Sequence, residues 1–351
     1  MRLVIVTDAW QPQVNGVVRC LQKMVEILTA GGDEVTVLAP HLFRTWPCPS
    51  YPEIRLAVTT PRRIAELLDA ARADHIHIAT EGPLGLMARH YCVKGRLAFT
   101  TSYHTKFPEY LAARLPVPIA WGYAYMRWFH NAGAGCMVAT PSLEADLRAR
   151  GINHLMRWSR GVDAELFRPR PDCDLGLPRP LFLYVGRVSV EKNLEAFLSL
   201  DLPGTKVVVG DGPARQDLEA RFGDVRFLGT LEGEALARAY AGCDVFVFPS
   251  LTDTFGNVLL EALASGLPVA AFPVTGPKDV IVDPGAGVLD EDLRRAALGA
   301  LSLRGEDARA LALRFSWEAS AAAFRANIVS VHCRPVAAES LPEHEQSSIA
   351  L

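Results

Sequence analysis

Two carboxylates stand eight positions apart in one apolar stretch, "PSLTDTFGNVLLEALASGLPVAAF" at residues 249–272. A carboxylate carried into an apolar interior is costly unless hydrogen bonds compensate it. The spacing predicts a helix opening near Phe255 or Gly256, with Asp253 just before it and Glu261 inside it. Eight residues at helical rise span about 12 Å, the scale of a sugar joined to a nucleotide. Between the two carboxylates, the backbone N–H groups around Phe255, Gly256 and Asn257 can meet an anion or sugar hydroxyls. A carboxylate can accept both hydroxyls of a ribose. Each residue alone also admits a structural reading, Asp253 as an N-terminal cap and Glu261 as a paired core charge.

Cations accompany them. In "YVGRVSVEKN" a strand ends at Gly186, and Arg187 and Lys192 follow on the loop and the start of a helix. Two positive groups there make a clamp for a diphosphate; the other reading is a solvated surface pair, with Glu191 as the lysine's local partner. "VNGVVRCL" places Gly16 at a helix start after a strand and loop, where a phosphate can approach the backbone and the helix dipole. His104, in "TTSYHTKFPEY", closes a strand and can hydrogen-bond a polar ligand; Asp8 and Glu81 close strands in the same way. "VVVGDGPARQ" offers Gly210 and Gly212, but Arg215 stands where the third glycine of a dinucleotide fingerprint belongs. That stretch reads as a tight turn beside a ligand and is poor evidence for a nicotinamide.

All these residues need strand ends to hold them. "RLVIVT", "EVTVLA", "HIHIAT" and "RLAFTTSY" alternate with helical patterns such as "GVVRCLQKMVEILTAGG", the rhythm of a doubly wound parallel sheet. Residues 161–180 carry four prolines and little periodicity, as a linker does. The rhythm then restarts with "LFLYVG", a helix at "VEKNLEAFLSL", "KVVVG", helices near 213–222 and 233–241, and "DVFVFPS". The expected organisation is two Rossmann-like domains, 1–163 and 164–315, with a last helix over about 316–331 returning to the first and a frayed tail at 332–351. Ligands of such sheets lie at the carboxyl ends of strands, here in a cleft between the halves.

Composition narrows the class. The chain has 351 residues and a net charge of −3, which gives no support for nucleic acid as a general partner. Residues 1–163 carry 18 Lys and Arg against 13 Asp and Glu, whereas 164–315 carry 16 against 22. The basic first half suits an anionic ligand or surface. Seven dispersed cysteines, without CxxC or zinc spacing, read as reduced thiols of a cytoplasmic protein. No metal-binding acidic cluster is evident, since "DCD" at 172–174 falls in the linker. "MRLVIVTDAW" is too short an apolar run for a signal peptide, and nothing spans a membrane.

Taken together, "NGV", "GRVSVEKN", "GDGP" and a carboxylate followed eight positions on by glutamate in "TDTFGNVLLEALASGLPV" resemble the retaining glycosyltransferases of family 4, over residues 1 to about 331. The family usually begins the last motif with glutamate; here Asp253 replaces it. "TDAWQPQVNGV", "SYHTKFPEYL" and "TDTFGN" look most like the α-mannosyltransferase branch that uses GDP-mannose. The resemblance implies the GT-B fold, two Rossmann-like domains facing a central cleft, and a role for each matched residue. Gly16 would offer its amide to the donor diphosphate, and Arg187 with Lys192 would neutralise it as it leaves. Glu261 would bind the ribose. Asp253, with Phe255, Gly256 and the adjoining Asn257, would hold the hexose, and His104 would contact it near the reacting carbon.

Cations and helix dipoles aimed at a departing diphosphate stabilise its growing charge, so neither metal nor cofactor is required. Rival readings are a transferase using a UDP sugar, a sugar-nucleotide epimerase of the same fold, a glycosidase and a nucleotide-binding module without catalysis. A glycosidase needs two carboxylates about one bond and no cationic clamp. The acceptor is read as a lipid or glycan. Trp121, Tyr125 and Trp128 form a stripe at helical spacing beside Arg114 and Arg127. Such a stripe reads first as core, but with the basic half it permits peripheral docking at the inner face of a membrane.

Overall fold

Leu181–Val185 is buried at every position, and so is Val245–Phe248. Unbroken apolar runs of this kind belong to strands covered by helices on both faces, the condition of a parallel sheet. The structure, a computed structural model, describes residues 1–13, 15–48, 51–112 and 117–332. It divides into two compact units, Met1–Ser159 with the chain from Glu318, and Arg160–Trp317. Arg114 and the expected tail beyond residue 332 lie outside the described residues.

The first unit contains β1 (Arg2–Val6), β2 (Glu34–Leu38), β3 (Arg44–Cys48), β4 (Tyr51–Val58), β5 (His75–Ile78), β6 (Thr100–Ser102), β7 (Gly135–Val138) and β8 (Leu155–Arg157). Six of these make a parallel sheet in the order β2-β1-β5-β6-β7-β8, while β3 and β4 pair antiparallel as a separate ribbon. Helices α1 (Gly16–Ala30), α2 (Pro61–Ala71), α3 (Pro83–Gly95), α4 (Phe107–Ala112), α5 (Ile119–Asn131) and α6 (Pro141–Ala149) connect them. The second unit repeats the plan with β9 (Leu181–Val185), β10 (Thr205–Val209), β11 (Arg226–Gly229), β12 (Val245–Phe248), β13 (Val269–Ala271) and β14 (Gly287–Leu289), ordered β11-β10-β9-β12-β13-β14. Its helices are α7 (Leu194–Leu198), α8 (Arg215–Arg221), α9 (Gly233–Ala241), α10 (Asn257–Ala264), α11 (Pro277–Val280), α12 (Leu293–Ala300) and α13 (Gly305–Ala312). In each sheet the strand order reverses once, between β1 and β5 and between β9 and β12. These are the points where crossing loops diverge and leave room for a ligand.

Several elements differ from the sequence reading. The strand expected at "RLAFTTSY" is only β6, because Arg96 ends α3 in the left-handed region at φ 51°. The helix expected at "VEKNLEAFLSL" is broken into a 3₁₀ turn, Val190–Lys192, and the short α7, with Asn193 between them at φ 53°. The ribbon of β3 and β4 was not expected. Residues 161–180 form neither helix nor strand, yet they are packed into the second unit. The Val162 amide donates to the Phe315 carbonyl, and a Cβ on Gly161 would come within 2.4 Å of the Trp317 nitrogen.

After residue 317 the chain returns to the first unit as α14 (Trp317–His332). Trp158, fully buried, donates through Nε1 to Ser320 Oγ at 3.1 Å and packs its ring 4.6 Å from Phe324. Phe324 also meets the edge of buried His77, whose ring nitrogens lie 2.8 and 2.9 Å from Thr100 Oγ1 and Ser102 Oγ. The polar strand β6 is thus satisfied inside the core rather than by water.

Candidate functional site

In the second unit, the loops after β9 and β12 leave the sheet at its point of reversal. Gly186 ends β9 at φ 151°, and the Tyr184 hydroxyl donates to the Arg187 carbonyl at 2.9 Å, fixing the arginine's backbone. Gly210 and Gly212 press onto the same loop. A Cβ on Gly210 would lie 1.9 Å from the Gly186 carbonyl oxygen, and one on Gly212 2.3 Å from that of Val188. These glycines are required by two backbones crossing, which accounts for "GDG" without a ligand.

Lys192, closing the 3₁₀ turn, donates from Nζ to Asp253 Oδ1 at 2.6 Å, with both side chains largely buried. Asp253, sixty-one positions away, is therefore a partner of this lysine. Asn193 ties the same two loops by donating to the Pro249 carbonyl at 3.1 Å. Asp253 Oδ2 is buried without a hydrogen-bond partner among the described residues. A half-satisfied carboxylate of this kind is expensive in a protein held only for its fold.

Helix α10 begins at Asn257, after Phe255 and with Gly256 as its N-cap at φ 86°. Only four residues of helical rise, about 6 Å, separate Asn257 from Glu261. The interval from Asp253 to Glu261 is thus helical only in its second half, the first half being a turn. The turn is set by Gly256, and its Phe255 is buried edge-on to Phe315. Glu261 is 8% exposed and accepts a hydrogen bond from the Tyr240 hydroxyl at 3.0 Å. Tyr240 was not singled out in the sequence, since a tyrosine on a helix twenty-one residues away carries no local motif.

The first unit places its candidates along the carboxyl edge of its own sheet. Gly16 opens α1, but Asn15 caps that helix, its Oδ1 accepting from the Val17 and Val18 amides at 3.0 Å each. The asparagine of "NGV" was the signal for this cap. His104 follows β6, half-buried, with its ring 5.7 Å from Trp158.

Asp8 and Glu81 are committed elsewhere. Asp8 Oδ1 accepts from the Leu84 amide at 2.9 Å at the N-terminus of α3, and Oδ2 accepts from Thr80 Oγ1 at 2.9 Å. Burial pushes its carboxyl up to about 6, against the opposing effect of those bonds. Glu81 lies 3.2 Å from His130 Nε2.

The aromatic stripe joins the core only through Tyr125, which is half-buried and packs against it. Helix α5 buries Gly122, Tyr123, Met126, Phe129 and His130, leaving Trp121 69% and Trp128 39% exposed. The Arg89 guanidinium sits 3.6 Å above the Trp128 ring, and Tyr125 donates to the Glu81 carbonyl at 2.5 Å. Among the described residues no helix is long and apolar enough to cross a membrane, and no group of His, Cys, Asp or Glu stands ready to hold a metal ion.

Comparison with known proteins identifies the family and the fold. The family profile described as Glycosyltransferase Family 4 matches residues 14–166, and that described as Glycosyl transferases group 1 matches residues 179–303. Sulfoquinovosyl transferase SQD2 of Arabidopsis thaliana is 34% identical over 78% of this chain, an alignment spanning 60% of that protein's length. GDP-mannose-dependent α-mannosyltransferases of Mycobacterium tuberculosis and Mycolicibacterium smegmatis are 30% and 32% identical over 82% of this chain, covering 83% and 84% of their own lengths. Among solved structures, sucrose-phosphate synthase from Thermosynechococcus elongatus superposes with a TM-score of 0.74 at 21% identity, covering 94% of this chain and 98% of that one. Anabaena HepE in complex with UDP gives 0.69 at 16% identity, covering 94% and 100%. The fold is GT-B, built from two Rossmann-like units.

Proposed function

We propose that this chain, which belongs to glycosyltransferase family 4, moves mannose from GDP-mannose to a lipid or glycan acceptor with retention of the α configuration. The observation that carries the reading is the Lys192–Asp253 ion pair, bridging the loops after β9 and β12 beside Arg187 and the helix bearing Glu261. The lysine and the aspartate hold one another. A nucleotide sugar offers each a better partner, the diphosphate for Lys192 and hexose hydroxyls for Asp253. Arg187 joins Lys192 on the diphosphate, Gly16 offers its amide to it, and Glu261 takes the ribose hydroxyls. Phe255, Gly256 and Asn257 present backbone amides to the hexose, and His104 contacts it near the reacting carbon.

As the glycosidic bond breaks, electrons pass to the bridging oxygen and negative charge accumulates on the leaving diphosphate. Fixed cations interact more strongly with that state than with the bound donor, which is the condition for accelerating the reaction. The acceptor oxygen forms the new bond to the electron-poor anomeric carbon, and its proton passes to an oxygen of the departing diphosphate. The relatives named as GDP-mannose-dependent support the choice of base and sugar, and exposed Trp121 and Trp128 suit an acceptor presented at a lipid surface.

A panel of donors tests the assignment. GDP-mannose should raise the melting temperature more than UDP-glucose or UDP-N-acetylglucosamine, since a ligand at a hundred times its dissociation constant stabilises by about 2.7 kcal/mol. Transfer should then be found in lipid or glycan fractions of a cell extract. The relative named as a sulfoquinovosyl transferase keeps a second donor class in view. A consistent preference for a UDP sugar would overturn GDP-mannose and leave glycosyl transfer standing.

A further inference from the structure

Among the tyrosines of this protein that donate their hydroxyls to identified acceptors, one pairing stands apart by its burial. Tyr184 donates to the Arg187 carbonyl and Tyr125 to the Glu81 carbonyl, the neutral acceptors that a core phenol ordinarily finds. Tyr123 and Tyr91 donate to the carboxylates of Glu109 and Asp69, which are half-buried and exposed, whereas Tyr240 donates to the carboxylate of Glu261, which is buried with it. A carboxylate is an expensive partner for a buried hydroxyl, because its charge must be desolvated where a carbonyl would have sufficed. The residue pair is therefore poorly explained as a device for packing.

Its geometry is that of a support. Tyr240 is wholly buried on α9, its ring edge-on to Phe167 at 5.6 Å and 87° and tilted against Phe246 of β12 at 5.8 Å. The aromatic contacts leave the phenol little rotational freedom, so its O–H direction is set by the core. A neutral donor on Oε2 also orients the carboxylate without adding a positive charge of its own.

We infer that Tyr240 is a positioning residue for nucleotide recognition: it holds the Glu261 carboxylate in the orientation that accepts the two ribose hydroxyls of the donor. The inference rests on the reading of Glu261 as the ribose-binding group, and it adds a residue from another helix to that site. Tyr240 touches no ligand. Its contribution is to spare the carboxylate from being ordered when the nucleotide arrives.

The test uses the intact chain and two probes that differ only at the ribose, GDP and 2′,3′-dideoxy-GDP, with the uridine pair measured alongside. Calorimetry gives the affinity ratio within each pair for the parent, Tyr240→Phe and Glu261→Gln. The parent should prefer the ribonucleotide by about tenfold or more. Tyr240→Phe should shrink that preference by about three- to tenfold, the weight of one ordinary hydrogen bond, while binding the dideoxy probe as the parent does. Combined with Glu261→Gln, Tyr240→Phe should have little further effect on the ratio, since it acts through that carboxylate. Thermal unfolding of each variant establishes that the fold is retained.

An unchanged preference in Tyr240→Phe overturns the positioning role while leaving Glu261 in place. An equal loss of affinity for both probes makes Tyr240 merely structural. Absence of any preference in the parent removes the ribose role of Glu261, and the inference with it.

Discussion

Arg187 and Lys192 occupy the same loop. Lys192→Ala strands the largely buried Asp253 carboxylate. Arg187→Ala and Lys192→Ala should each slow glycosyl transfer by about 10²–10³, the usual effect of deleting one group that stabilises a transition state. Lys192→Ala should in addition lower the melting temperature. Steady-state kinetics in the presence of a chelator, with the parent retaining activity, checks the clamp. Unchanged turnover in both variants, or loss of parent activity on chelation, counts against it. Arg187, Lys192 and Asp253 stood out in the sequence because each lies between a strand's end and a helix, where glycines mark the turn, and Glu261 stood out as a charge inside an apolar helix. The pairing of Lys192 with Asp253 was not legible. The residues are sixty-one positions apart and meet only because β9 and β12 are neighbours in the sheet.

At the scale of the element, α3 shows how a strand end can hold a charge for structure alone. Asp8 leaves β1 and caps α3 from across the sheet, and Gly82 makes the approach possible, since a Cβ there would come within 2.5 Å of the Asp8 carboxyl carbon. Burial raises the carboxyl from 3.8 to about 6 in the folded state. Folding therefore favours its neutral form, and the associated stability is complete below the unfolded value and is lost as pH rises through 6. Between pH 5 and 7 this group alone should remove about 1 kcal/mol. Urea unfolding of the parent and Asp8→Asn at the two pH values measures it, because the amide lacks the titration; an identical pH dependence in both proteins contradicts the assignment. The alternating strands and helices were readable from their hydrophobic periods, which local sequence sets. Less readable were the elements whose limits depend on one residue in an unusual conformation. Asn193 breaks a continuous helical pattern, and Gly256 delays α10. Helix α5 was misread in a different way. Its aromatic residues recur at helical spacing, but Tyr123, Met126 and Phe129 make the buried face, and Trp121 and Trp128 flank it.

At the scale of the molecule, the first unit is discontinuous in the chain. Helix α14 supplies it with Phe324, Ile328 and Val331, all at least nine-tenths buried. Each such side chain contributes about 1.5–3 kcal/mol, against a total of about 5–15 kcal/mol for a typical domain. A chain stopping after Trp317 should thus unfold its first unit far more easily, with Trp158 fluorescence shifted to the red. Residues 160–317 expressed alone should keep a cooperative transition. An unaltered melt and emission spectrum in the shortened chain would show that α14 is dispensable. The same discontinuity governs the order of events on the ribosome. Domains ordinarily fold as they emerge, the N-terminal one first. Here the cavity that receives Phe324 beside Trp158 and His77 stays open until all of the second unit has been synthesised. The unit begun first is the unit finished last, and the apolar seam that α14 covers stays open throughout that interval.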